Sequence, residues 1–256
     1  MAALVAAGIG VKVLLTTAKP PIAAGCAVSF SSTTWTLDLE QAANATTIAA
    51  VGKNLGLPDH AVTVAIAAAL QESALHNLPY GDRDSRGLFQ QRPSEGWGTT
   101  EQIMVPRYAA TVFFQHLVTV SGWQALPVTV AAQEVQRSGA PGAYAQWESE
   151  ARALAQAMTG EVPAALSCHL PNPPTNPGTA SLPTTMAREL GPSTLGIALD
   201  AARGWTVASW LVGHATQYGI TSVGFNGQVW TPTGGSWVAS GVADPQVRIG
   251  QAKPTA

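Results

Sequence analysis

Apolar residues recur at helical spacing through residues 37–158, and this pattern predicts a mainly helical first part of the chain. The first helix is predicted over residues 37–52, where apolar positions three and four apart end at a glycine. The second is predicted over residues 60–73, an alanine-rich run. Asp59, which follows Pro58, is the predicted N-cap of this second helix.

Three further helices are predicted over residues 106–120, 128–136 and 143–158, and they complete a small helical bundle. Residues 77–98, between the second and third helices, are rich in Gly, Asp, Ser and Pro. That composition predicts a loop or a short hairpin.

The pattern changes in the last part of the chain. Residues 205–218 have helical spacing, whereas 221–225 and 228–230 have the composition of strands. Asn226-Gly227 between those strands is a strong hairpin signal. A last strand is predicted over residues 246–249, so this part is expected to mix helix and sheet.

Prolines and polar residues separate the two parts. A proline-rich segment cannot continue a helix or pair as a central strand, and it predicts a semi-rigid linker. We therefore predict a mainly α domain over residues 25–168, a linker over 169–183 and a small α+β accessory domain over 184–256.

Composition narrows the class of protein. The chain has 256 residues, of which 46% are hydrophobic and 11% charged, against about 25% charged in an average soluble domain. Such a chain can bury a core, so global disorder is excluded. The formal net charge is −2 and Lys and Arg form no run, which argues against nucleic acid as a partner.

The N-terminal residues are strongly apolar, and Lys12 is the single charge among residues 1–18. We interpret residues 1–24 as a signal peptide or an N-terminal membrane anchor, with a buried N-terminal helix as the alternative. The protein is therefore expected to be secreted or anchored on the outer face of the cytoplasmic membrane, in the cell wall. Membrane contact is predicted only through this segment.

The chain has two cysteines, Cys26 and Cys168, at the two ends of the predicted helical domain. In an exported protein an even pair at domain edges favours a disulfide. Two buried free thiols are the alternative. A metal site would need more ligands at closer spacing.

Glu72 is the strongest candidate for chemistry, because it lies at the end of the apolar run and precedes a Gly-Leu-Phe-Gln segment at 87–90. Cleavage of a glycosidic bond needs a carboxylic acid that delivers a proton to the leaving oxygen. Apolar surroundings raise the pKa of a carboxyl group and keep it protonated. The alternative is an ordinary solvated glutamate at a helix end.

Glu72-Ser73, together with Gly87-Leu88-Phe89-Gln90, resembles the signature of the lysozyme-like and soluble lytic transglycosylase superfamily. Residues 38–160 as a whole are similar to exported lysozyme-like proteins of actinobacteria. Gln136-Arg137-Ser138-Gly139 falls where transglycosylases carry Tyr-Asn-Ala-Gly, so the Tyr-Asn pair of that family is absent here.

The resemblance implies a lysozyme-like fold and cleavage of the β-1,4 bond between N-acetylmuramic acid and N-acetylglucosamine in peptidoglycan strands. Glu72 would be the catalytic acid and base, by a lytic transglycosylase or a muramidase route. The alternative is a wall-binding protein that keeps the fold without turnover. No cofactor and no metal are predicted.

Substrate-binding residues follow from the same resemblance. Gln90 and the backbone near Phe89 would bind an N-acetyl group, and Ser73 would orient Glu72. Either Asp82 or Asp84 would hold a water, unless both only satisfy an Asp-rich turn. Trp97 and Tyr108 are predicted from their residue type to stack on sugar faces, with a place in the core as the alternative. The full set of predicted substrate-binding residues is Ser73, Asp82, Asp84, Gly87, Phe89, Gln90, Gln91, Trp97 and Tyr108.

The last part resembles the hedgehog-like zinc fold of D,D-carboxypeptidase modules in actinobacterial wall proteins. The position of the first zinc ligand is Ser193, the terminal ligand motif is Gln246-Val247-Arg248, and only Asp200 survives. One carboxylate cannot hold a catalytic zinc. The resemblance therefore implies a non-catalytic module that binds the wall or a cell-envelope protein. An unrelated α+β domain is the alternative.

Overall fold

The computed structural model describes residues 23–30, 32–172, 174–175, 181–192, 194–241 and 243–253. The predicted signal or anchor therefore lies almost wholly outside the described residues. So do Ser193 and much of the predicted linker.

The first part is helical, as predicted. The helices of this part are α1 (Leu39–Asn54), α2 (Asp59–Ser73), α3 (Thr100–Ile103), α4 (Pro106–Leu117), α5 (Val128–Gln136) and α6 (Glu148–Met158). The short helix α3 was not predicted, and the segment from Ala143 to Trp147 forms a 3-10 helix before α6.

Helix α2 is the central helix of this part and is buried on nearly all sides. It packs against α1, α4, α5 and α6, which explains why its alanine-rich sequence has so few polar positions. Close packing of several helices around it favours small side chains. The helix carries Glu72 at its C-terminal end.

The predicted N-cap of α2 is wrong. Pro58 occupies the N-cap position and Asp59 is the first helical residue. The Asp59 carboxylate instead accepts a hydrogen bond from Lys53 Nζ at 2.7 Å. Pro58 has the extended backbone conformation of an N-cap, with φ −70° and ψ 162°, so Asp59 lies one residue too late to cap the helix.

A small sheet, which was not predicted, joins the two ends of the first part. It contains β1 (Gly25–Phe30), β2 (Thr33–Leu37) and β3 (Leu166–His169) in the antiparallel order β2-β1-β3. Cys26 and Cys168 lie opposite each other in the β1–β3 pair and form a disulfide. The predicted disulfide is therefore confirmed.

The last part mixes helix and sheet, also as predicted. Its helices are α7 (Leu182–Glu189), α8 (Ala201–Gly213) and α9 (Ala215–Tyr218). The strands form a second antiparallel sheet in the order β6-β5-β4-β7. They are β4 (Ile220–Phe225), β5 (Gln228–Trp230), β6 (Trp237–Ala239) and β7 (Arg248–Gln251). Asn226 and Gly227 both have positive φ angles in the hairpin turn. The chain therefore has a mixed α+β fold.

The two parts share one hydrophobic core. Side chains of α8 donate hydrogen bonds into the end of the helical part: Thr206 Oγ1 to the Thr159 carbonyl at 2.8 Å and Ser209 Oγ to the Ala157 carbonyl at 3.0 Å. Trp230 Nε1 donates to the Cys168 carbonyl at 3.0 Å. The contact is thus a packed interface, although the domain boundaries stay a prediction.

A buried polar network crosses this interface. The Glu189 carboxylate accepts hydrogen bonds from Thr47 Oγ1 at 2.9 Å and from Trp210 Nε1 at 2.7 Å. His214 stacks on the Trp210 ring and lies 3.3 Å from Thr47 Oγ1 through Nε2. Burial lowers the pKa of His214, against the opposing effects of Glu189 and the Trp210 carbonyl. Removing one of the two donors would leave the buried carboxylate with a single hydrogen bond.

Replacing Thr47 by Val keeps the shape of the side chain and removes the hydrogen bond to Glu189. We expect a loss of about 1–3 kcal/mol in the free energy of unfolding, or roughly 2–10 °C in melting temperature. Thermal unfolding followed by circular dichroism measures it. The matched control is Thr100→Val at an exposed position of α3, and equal melting temperatures for the two variants would contradict the expectation.

Within the described residues, no helix combines the length and apolar character that crossing a membrane requires.

Candidate functional site

Glu72 lies on the wall of a cleft of about 870 Å³. The cleft opens between the end of α2, the 82–97 loop, the end of α4 and the end of α5. Its lining residues include Glu72, Asp82, Ser85, Phe89, Gln90, Gln91, Arg92, Glu95, Trp97, His116, Thr119, Glu134, Gln136, Arg137 and Ser138.

The helix end that carries Glu72 is held in place from two sides. On one side, α1 holds the chain that leaves the helix: Gln41 Nε2 donates to the Ala74 carbonyl at 2.9 Å and Asn44 Nδ2 to the Leu75 carbonyl at 2.8 Å. On the other side, Trp147 Nε1 donates to Gln71 Oε1 at 2.8 Å. The position of the Glu72 backbone is therefore fixed by its neighbours on both sides.

Ser73 links the end of α2 to the Gly-Leu-Phe-Gln turn. Its hydroxyl contacts the Leu88 carbonyl at 2.7 Å and the Ala69 carbonyl at 3.1 Å. Gly87 has a φ of +77°, and a Cβ there would lie 2.9 Å from the Ile103 carbonyl oxygen. The turn therefore needs glycine both for its backbone conformation and for the close approach of α3.

Tyr144 contacts Glu72 directly, since its Oη donates a hydrogen bond to Glu72 Oε1 at 2.7 Å. Burial raises the pKa of Glu72 above its ordinary value. The hydrogen bonds of Tyr144 and Gln136 oppose that rise, because they favour the charged form. The result is a carboxyl group that holds its proton more strongly than an exposed glutamate.

Tyr144 itself is fully buried. Burial raises the pKa of its hydroxyl well above the ordinary value, and the nearby Glu72 adds to the rise. Tyr144 therefore stays a hydrogen-bond donor throughout the pH range in which Glu72 titrates.

No protein-family model matches this chain, and no curated protein matches it significantly. The chemistry of the cleft therefore rests on its own residues.

Six of the residues predicted for the site line this cleft. They are Glu72, Asp82, Phe89, Gln90, Gln91 and Trp97. The structure thus brings the glutamate at the end of α2 and residues of the 87–90 turn to the wall of one cleft.

Gln90 and Gln91 point to different partners. Gln90, whose φ is +47°, donates from Nε2 to the carbonyls of Tyr80 and Gly87, both at 3.2 Å. Gln91 is buried and donates to the Ala109 carbonyl at 3.1 Å. Gln90 therefore stays at the cleft surface, whereas Gln91 ties the cleft floor to α4.

Phe89 and Trp97 belong to two stacked aromatic pairs. The ring of Phe89 is buried and stacks on Phe113 with 4.7 Å between centroids. Trp97 stacks on His116 at 4.1 Å and stays partly exposed. Trp97 thus offers an aromatic surface to the cleft, while Phe89 mainly supports the turn.

The two candidate aspartates differ in their surroundings. Asp84 accepts hydrogen bonds from Arg92 Nε and from the Ser94 backbone, both at 2.8 Å, and these hold its pKa well below the usual range. The Asp84 carboxylate thereby holds the loop in place, which is the alternative role predicted for an aspartate in an Asp-rich turn. Asp82 is on the cleft wall with 91% of its side chain exposed.

Ser73, Asp84, Gly87 and Tyr108 lie outside the residues that line the cleft. Tyr108 packs under the loop, where a Cβ on Gly98 would lie 2.9 Å from the Tyr108 ring. These residues shape the cleft from behind. Direct contact between them and a substrate stays a prediction.

Sequence reasoning missed Glu134 and His116, which line the cleft, and Tyr144, the buried partner of Glu72. Tyr144 lies 72 positions from Glu72 and belongs to no local motif. The segment 136–139 does line the cleft, at the position where the resemblance to transglycosylases placed their Tyr-Asn-Ala-Gly.

Asp200, the surviving position of the zinc-fold resemblance, caps α8 by accepting a hydrogen bond from the Arg203 backbone at 2.9 Å. Arg248 donates to Asp244 at 2.8 Å. Among the described residues, no group of three or more His, Cys, Asp or Glu side chains is placed to hold a metal ion.

Proposed function

We propose that this protein cleaves the glycan strands of peptidoglycan with Glu72 as its single catalytic acid. The observation that carries the proposal is the Glu72 carboxyl: burial raises its pKa, Tyr144 orients it, and it lies on the wall of a large cleft. A proton donor of this kind is the first requirement for breaking a glycosidic bond.

The cleft suits an extended oligosaccharide. Its volume of about 870 Å³ lies in the upper part of the range for small-molecule sites, about 300–1,000 Å³. Trp97 offers an aromatic face and Gln90 an amide at the same surface, the two kinds of group that stack on sugars and bind N-acetyl groups. The lysozyme-like resemblance of residues 38–160 supplies the substrate class.

In the proposed reaction, Glu72 protonates the oxygen of the scissile bond and then, as a carboxylate, accepts a proton from the attacking group. In a transglycosylase that group is a hydroxyl of the sugar itself. In a hydrolase it is a water held by a second carboxylate, and Asp82 and Glu134 lie on the cleft wall for that role.

A second function is favoured by one observation at the end of α5. Gln136 and Arg137 lie in the cleft where transglycosylases carry Tyr and Asn. A wall-binding protein without turnover would retain the cleft and lose those residues. It would sediment with insoluble wall and release nothing.

The test is incubation of the purified protein with insoluble peptidoglycan, followed by mass spectrometry of the soluble fraction. Released muropeptides support the enzymatic proposal, and their ends identify the route, because an anhydro end lacks one water relative to a hydrolysed end. Binding without soluble products would overturn the proposal in favour of the wall-binding function.

Replacing Tyr144 by Phe tests the role of the hydrogen bond to Glu72. That bond favours the charged carboxylate, so its loss should raise the pKa of Glu72. Because Glu72 acts in its protonated form and activity falls as pH rises through that pKa, the alkaline limb of the pH–rate profile should move to higher pH. We also expect roughly a tenfold lower rate at the optimum from the lost orientation. An alkaline limb that stays in place would contradict the assignment.

A further inference from the structure

Arg137 differs from every other cationic side chain of the cleft. Arg92 is fully engaged, since Nε donates to Asp84 at 2.8 Å, Nη1 to Glu95 at 3.0 Å and Nη2 to Ser94 at 3.1 Å. Burial, and the charge of Arg137, lower the pKa of His116, so this imidazole is neutral near pH 7. The guanidinium of Arg137 makes no hydrogen bond or ion pair with any residue that the structure describes.

The backbone presents Arg137 in a fixed position. Arg137 caps α5 in the left-handed conformation, with φ 51° and ψ 38°, and its N–H donates to the Gln133 carbonyl at 2.7 Å. Gln133 Nε2 donates a hydrogen bond to the Ser138 carbonyl at 3.0 Å, and Ser138 Oγ donates to Gln133 Oε1 at 3.1 Å. A left-handed residue is a common way to end a helix, and here it fixes the direction in which the chain leaves α5.

The neighbours of Arg137 place it beside the candidate acid. Gln136 contacts Phe89 through a 2.9 Å hydrogen bond to the carbonyl oxygen and lies close enough to Glu72 to affect its pKa. Ser138 lies against Tyr144, the partner of Glu72. Arg137 lies between these two residues in sequence and lines the same cleft as Glu72, so a group bound by Arg137 would lie in that cleft.

An exposed guanidinium with unused donors suits a carboxylate, because its planar fork matches the two oxygens. We propose that Arg137 is a specificity-determining residue that binds a carboxylate of the glycan held in the cleft. This inference rests on the proposed function. The carboxylate comes either from the lactyl group of a peptide-free muramic acid or from the stem peptide.

The test uses Arg137→Asn and Arg137→Lys with three soluble glycans: peptide-free wall glycan, peptide-bearing wall glycan and a neutral N-acetylglucosamine oligomer. Asparagine tolerates the left-handed conformation, so the fold is kept while the cation is lost. Binding is measured by calorimetry in a Glu72→Gln background, and KM and kcat in the active background. Arg188→Gln, at an exposed position of α7, is the control.

We expect Arg137→Asn to raise Kd and KM about tenfold on a carboxylate-bearing glycan, with kcat within about twofold and no change on the neutral oligomer. Arg137→Lys should recover part of the loss, since lysine keeps the charge without the fork. A loss on peptide-free glycan identifies the lactyl carboxylate, and a loss confined to peptide-bearing glycan identifies the stem peptide.

Product release by the wild type with no effect of Arg137→Asn would overturn the inference and leave the proposed function intact. Arg137-dependent binding without product release by the wild type would overturn the proposed function and support the inference. An equal loss on the neutral oligomer, or no binding to any of the three glycans, also overturns the inference.

Discussion

Replacing Glu72 by Gln should lower the rate of muropeptide release from purified peptidoglycan by about 10²–10⁴-fold, the range that a positioned general acid contributes. The amide has the size of the carboxyl and its oxygen still accepts the Tyr144 hydrogen bond, but it cannot deliver a proton. Because the amide is never charged, the fold should be unharmed. Product release measured by mass spectrometry and a thermal melt of the same sample check both statements.

Glu150→Gln is the matched control for this variant. Burial also raises the pKa of Glu150, which lies on α6 and does not line the cleft. If Glu72→Gln loses activity and Glu150→Gln does not, catalysis depends on a carboxyl group in the cleft, and a raised pKa elsewhere is not sufficient. Release at the wild-type rate by Glu72→Gln would reject Glu72 as the acid.

Removing the disulfide should have the largest effect on stability. Cys26 and Cys168 are separated by 142 positions, and closing so long a loop is worth about 4–5 kcal/mol in the chain-entropy account. For a chain of this size the loss corresponds to roughly 10–20 °C in melting temperature. The double variant Cys26→Ser, Cys168→Ser and the wild type, each melted with and without reductant, provide the measurement.

The measurements with reductant separate the effect of breaking the disulfide from the effect of replacing the two cysteine side chains. Reductant should lower the melting temperature of the wild type and leave that of the double variant unchanged. A double variant that melts within about 2 °C of the wild type would show that the β1–β3 pairing and the shared core hold the chain ends without the bond.

The longer helices of the first part could be predicted because each has a local signal, whereas the four-residue helix α3 was missed. Helix α5 begins and ends at the predicted residues 128 and 136, and α2 differs from its prediction by a single residue. The first sheet could not be predicted in this way. Its strands are short and pair β1 with β3 across more than a hundred positions, so only tertiary contacts define them.

The residues of the candidate site also differ in whether a local sequence signal predicts them. Glu72 and the 87–90 turn are close in sequence, and each has a recognisable composition. Tyr144 has neither property, because it reaches Glu72 only after α5 and the 3-10 helix fold back along α2. Asp84 is the opposite case, because its place in an Asp-rich segment suggests a substrate-binding residue. In the structure its carboxylate instead accepts hydrogen bonds from Arg92 and Ser94.

The buried carboxylate of Glu189 has a consequence for how this chain can evolve. Its hydrogen-bond donors come from α1 in the first part and α8 in the second. Grafting the last part onto a different helical neighbour would remove the Thr47 donor and leave the buried acid with Trp210 alone. The two parts are therefore expected to be inherited as a single unit and not exchanged as interchangeable modules.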